Sequence, residues 1–127
     1  MKKLIASFTL ATVLTLAGCG GSNDSDVGQT FVTQLGHIAD ALESVKDEDS
    51  ARAAAHQMDQ ANMALKNVTD RMNGMSDMEK AVMIQKHVAE IAQLEGRITM
   101  AIQNIVSNDP ELMNIIGDEM RNMPQLE

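Results

Sequence analysis

Aromatic residues are nearly missing from this chain: Trp and Tyr are absent, and the only two Phe are Phe8 and Phe31. Any core must therefore be built from Leu, Ile, Val, Ala and the 11 Met residues. Methionine is flexible, so such a core adapts easily and specifies its packing weakly. For about 100 folded residues this implies marginal stability. The single cysteine, Cys19, excludes an intramolecular disulfide. Strand signals are missing too, since β-branched residues are scattered and no stretch alternates apolar with polar side chains. No apolar run reaches the ~20 residues that cross a bilayer. The N-terminal run, Leu4 to Leu16, is short and is softened by Ser7, Thr9, Thr12 and Thr15. There is no glycine-rich phosphate loop and no Ser in a strand–turn–helix setting. The sequence thus points to no enzyme and to no cofactor.

Positive charge is scarce, with 10 Lys and Arg against 18 Asp and Glu. Two of the bases, Lys2 and Lys3, precede the apolar run, so the remainder holds 8 basic and 18 acidic side chains, a formal charge of −10. That excess repels nucleic acid and anionic lipid headgroups and favours cations or a basic partner.

Met1-Lys2-Lys3 followed by Leu4–Leu16 has the layout of a secretory signal: a short positive segment, then an apolar one. Leu16-Ala17-Gly18-Cys19 comes next and resembles the lipobox of bacterial lipoproteins. The likeness covers the first 19 residues. It implies cleavage before Cys19, a diacylglycerol on the Cys19 sulfur and acylation of the new amino group, which together make a stable anchor. It also implies an extracytoplasmic location. In Gram-negative lipoproteins the residue after the cysteine influences sorting, and Gly20 favours the periplasmic face of the outer membrane. Residues 1–18 are then the signal peptide. Residues 19–28 are the acylated cysteine and a tether, with Gly20-Gly21-Ser22-Asn23-Asp24-Ser25-Asp26 expected to be disordered. Residues 29–123 are a helical domain, and 124–127 a tail.

Apolar residues beyond the tether recur at a spacing of three and four. A first helix is expected from about Gln29 to Lys46 on the stripe Phe31, Leu35, Ile38, Leu42, Val45. Asp47-Glu48-Asp49-Ser50 ends it and caps a second helix to Met72. The second stripe is Ala51, Ala54, Met58, Ala61, Leu65, Val68, Met72, and Asn73-Gly74 is its stop. Ser76 and Glu79 form a capping box for a third helix from Asp77 to Val106, on Ile84, Val88, Ile91, Leu94, Ile98, Ile102 and Ile105. Gly96 inside it reads as a close helix crossing. Asp109-Pro110 starts a short fourth helix that ends before Pro124. The fold expected is all-α: a small antiparallel three-helix bundle with a short C-terminal fourth helix. A long helical pair completed by homodimerisation is the alternative. The Ala-rich helices and the junction Leu42–Ser50 are also similar to small helical proteins of the bacterial envelope, a likeness that carries no function.

Two sets of side chains invite a chemical reading. His37-x-x-Asp40, His56-x-x-Asp59 and His87-x-x-Glu90 each place an imidazole and a carboxylate on one helix face, a spacing suited to a metal site but here expected to give surface ion pairs. Met72-x-x-Met75-x-x-Met78 gathers thioethers across the turn between the second and third helices, and Met83 lies one turn from His87. Thioethers suit Cu(I) and Ag(I), and the spacing resembles the Met-rich motifs of copper- and silver-handling proteins. No metal is expected as the primary reading; Met72, Met75, Met78 and His87 are the candidate ligands if one binds. Met58 and Met72 fall on the stripes and read as core; Met63, Met83 and Met100 lie off them, which suits either cover for a fourth-helix surface or a Met-rich groove for a partner. The leading expectation is a lipid-anchored, non-enzymatic module that binds another envelope protein. A soft-metal protein is the alternative.

Overall fold

The computed structural model describes residues 23–124, with side chains from 27 onward. The signal segment, Cys19 and the first part of the tether lie outside the described residues. Four helices make up the rest: α1 (Asn23–Glu43), α2 (Glu48–Asn73), α3 (Asp77–Asn108) and α4 (Leu112–Arg121). Among the described residues there is no strand, and no helix is long and apolar enough to cross a membrane.

α1 starts at Asn23, well before the expected Gln29, so the tether reading through residue 28 is too long. The reason is packing. Val27 stands one i,i+4 step before Phe31 and Leu35 and is buried with them. At its other end α1 stops at Glu43, short of Lys46. There the Ser44 hydroxyl turns back to donate to the Ala41 carbonyl at 2.6 Å, a local bond that competes with continued helix.

The caps of α2 and α3 lie where the sequence puts them, but α4 starts at Leu112, after Glu111 and with no side-chain cap, not at Asp109 and Pro110 as expected. Asp47 accepts from the Ser50 N–H at 2.8 Å, and the Asp47 N–H donates to the Ser50 hydroxyl at 2.9 Å, a reciprocal capping box. The acidic side chains of Glu48 and Asp49 then lie in the first turn of α2, where the helix dipole favours them. At α3 the Ser76 N–H donates to Glu79 at 2.7 Å and the Glu79 N–H to the Ser76 hydroxyl at 3.3 Å. These bonds hold the Asp47 and Glu79 carboxyls below their ordinary pKa values. Asp109 accepts from the Glu111 N–H at 3.1 Å, which turns the chain through Pro110 into α4.

α1 is the central element and packs against both α2 and α3. That dual contact explains why its buried surface is wider than the expected stripe and takes in Val32, Ala39 and Ala41 as well. The Ala51, Ala54 and Ala61 face of α2 is buried with it, small side chains that let two helices approach closely. α4 packs chiefly on α2. It buries Leu112 and Ile116 and is tied down by Asn62, whose amide donates to the Glu119 carbonyl at 2.9 Å. Asn62 is the one polar residue buried among the described residues.

Candidate functional site

α3 is 32 residues long, about 48 Å at 1.5 Å per residue, whereas α4 has 10 residues and spans about 15 Å. The fourth helix therefore covers only part of the surface its neighbours offer. Along α3 the residues Leu94, Ile98, Ala101 and Ile105 are buried, but the N-terminal part of the same stripe is open: Ile84 is 40% and Val88 55% exposed. Both were expected in the core. Their burial fails because, among the described residues, no helix lies over that flank.

Beside the open flank is a cavity of about 280 Å³, walled by Gly28 and Phe31 of α1, Met72 of α2, and Met83, Ile84, His87, Val88 and Ile91 of α3, with Glu95 at one side. Its floor is tight. A methyl group on Gly28 would stand 2.7 Å from His87 Cδ2, 2.8 Å from His87 Nε2 and 2.9 Å from Met83 Cγ, so a larger residue there would push the imidazole and the methionine off α1. The His87 ring is largely buried. Its Nδ1 has no hydrogen-bond partner and lies 3.7 Å from Glu90 Oε1. Gly96, expected to mark a close crossing, is exposed, and nothing lies within 4 Å of where its Cβ would be. The crossing glycine is Gly28, which the sequence placed in the tether.

The methionine candidates separate. Met72 is buried in the cavity wall, Met75 is half-buried against the core, and Met78 is 78% exposed. The turn does not gather all three. Met72 and His87 do meet in one cavity, and the third soft donor there is Met83. Spacing hinted at Met83, one turn before His87, but only its contact with α1 shows it buried. Met63 and Met100 are exposed, as positions off the stripes should be.

The histidine pairs also separate. His37 contacts Gln34 at 3.3 Å, and Asp40 is instead held by Arg97 at 2.7 Å. His56 contacts Gln60 at 3.2 Å rather than Asp59. Among the described residues no three His, Cys, Asp or Glu side chains cluster as metal ligands. One charged cluster joins helices: Arg97 donates to Asp40 and, through Nε and Nη2 at 2.8 and 2.6 Å, to both oxygens of Glu43. The guanidinium holds the Glu43 carboxyl below its ordinary pKa. A second cleft, of about 470 Å³, runs past this clamp and is lined by Glu43, Lys46, Asn104 and Asn108 among others. Its arginine is already saturated by carboxylates, so it offers little to an incoming anion.

No known protein family, characterised protein or solved structure matches this chain.

Proposed function

We propose that this chain is a lipoprotein anchored in the bacterial envelope through Cys19, and that its helical domain is a non-enzymatic module that docks a basic amphipathic helix of another envelope protein. The observation that carries the docking is the open flank of α3. Ile84, Val88 and Ile91 follow helical spacing, border a cavity floored by Phe31, Met72 and Met83, and have no covering element among the described residues. The covering element that fits is a helix, since α4 already packs on the bundle in that form and ends too soon. The acidic excess of the chain favours a helix with a basic outer face.

The fold behind this proposal is an up–down–up bundle with a short fourth helix. Gly28 lies against Met83 and His87 while Asp40 and Glu43 meet Arg97. α1 and α3 thus run in the same sense, as two successive antiparallel hairpins require. A second copy of this chain on the flank is the rival occupant, and charge disfavours it.

Two experiments separate anchor from docking. Cys19→Ala is expected to move the protein out of the membrane fraction and to leave the signal segment uncut by the lipoprotein peptidase. A Cys19→Ala protein that still sediments with membranes overturns the anchor. Crosslinking in cells followed by mass spectrometry is expected to join the flank to a basic helical segment of one partner. The adduct should vanish in Ile84→Asp/Val88→Asp, which alters exposed positions only. A self-adduct places a homodimer there instead, and no adduct removes the docking function.

A further inference from the structure

We infer that Met72, Met83 and His87 form a binding site for one soft monovalent cation, Cu(I) or Ag(I), at the floor of the α1–α3 cavity. The site needs no partner and does not depend on the docking proposal, although it lies in the cavity that the docking flank borders. It also differs from the ligand set that spacing suggests, because Met75 is half-buried against the core and Met78 is exposed.

The three donors come from two helices and line one cavity of about 280 Å³. Met83 and His87 are one helical turn apart, and both press on the bare Cα of Gly28: Met83 Cγ and His87 Nε2 lie 2.9 and 2.8 Å from the point a Cβ would occupy. The imidazole edge that faces α1 therefore meets the same point of the backbone as the Met83 side chain. Met72 adds a second thioether from the end of α2. Two thioethers and one imidazole are soft and borderline donors, the set that selects Cu(I) or Ag(I) over hard cations. The walls agree with that choice. Phe31, Ile84 and Ile91 are apolar, and a divalent hard ion would find only the Glu95 carboxylate among its preferred oxygen ligands. A single positive charge costs less to bury than two, and Glu95 and Glu90 lie close enough to offset it.

The other ring nitrogen supports the same assignment. His87 Nδ1 is buried without a hydrogen bond, 3.7 Å from Glu90 Oε1. A cation on Nε2 fixes the proton on Nδ1, and a small ring rotation lets that N–H donate to Glu90. A carboxylate behind a ligating imidazole is the usual way such a ring is oriented. Glu90 is then a positioning residue, and Gly28 is the gap that admits the ligands.

The test uses the full chain in detergent micelles under reducing conditions, titrated against Cu(I) held by a chromophoric chelator. One Cu(I) per chain is expected to leave the chelator. Met72→Leu, Met83→Leu and His87→Gln should each weaken retention about tenfold or more, and Glu90→Gln about tenfold. Met75→Leu and Met78→Leu should leave it unchanged. Leu for Met conserves volume, so the fold is kept. If a variant nevertheless unfolds, Ag(I)-induced NMR shifts in the unsubstituted chain decide. Shifts at the Met72 and Met83 methyls and His87 Nε2 support the site, with Glu90→Gln expected to alter the His87 shift. Shifts at Met75 and Met78, or no withdrawal of Cu(I) at all, overturn it.

Discussion

Gly28 and Gly96 both lie inside helices, and they should respond to alanine in opposite ways. At Gly96 the added methyl meets open space, so the substitution removes only the intrinsic penalty of glycine in a helix and should stabilise by about 0.5–1 kcal/mol. Gly36, equally uncrowded, should behave the same way. At Gly28 the methyl would meet His87 and Met83 under 3 Å. Overpacking of that kind costs roughly 1–3 kcal/mol, more than the helical gain of up to about 1 kcal/mol. Thermal melts of the three single variants check the signs; a Gly28→Ala protein that melts higher contradicts the packing described. Residue-level legibility follows the same division. Met72 and His87 stand out by type and spacing, but which glycine marks a crossing, and that Met83 is buried, depend on what α1 lays against them.

At the scale of the element, the capped starts of α2 and α3 were readable, whereas the end of α1, the start of α4 and the boundaries set by tertiary contact were not. The Asp47/Ser50 and Ser76/Glu79 caps use groups three residues apart, so they follow from sequence alone. The early start of α1 depends on Val27 finding a buried place, and the exposure of Ile84 and Val88 depends on which elements reach that flank of α3. Two substitutions gauge how firmly the elements are held. Ser76→Ala removes a cap and should destabilise by about 1 kcal/mol. Asn62→Ala removes the tie to the Glu119 carbonyl and should destabilise by about 1–3 kcal/mol, with a part-buried acceptor left unpaired. Hydrogen exchange should then show α4 opening ahead of the rest. Uniform loss of protection in Asn62→Ala would mean that α4 is not a separable element.

Across the whole molecule, acid should loosen the fold. The Glu43, Asp47 and Glu79 carboxyls are held below ordinary values of 4.5, 3.8 and 4.5 by Arg97, Ser50 and Ser76 respectively. Each binds fewer protons folded than unfolded in that range, so its contribution is complete above the ordinary value and is lost as pH falls through the lowered one. The melting midpoint is expected to stay level from neutral pH to about pH 5 and to drop below about pH 4. Asp47→Asn with Glu79→Gln should flatten the drop. An unchanged midpoint at low pH would contradict these bonds.

The open flank of α3 is the feature on which the proposed role depends, and one measurement addresses it directly. A photo-crosslinking side chain at position 88 in the living cell is compared with the same group at Gln57, an exposed polar site on α2. The expected result is an adduct from position 88 to one helical segment of a partner, absent from position 57 and lost with Ile84→Asp. Equal labelling from both positions, or none from position 88, would contradict it.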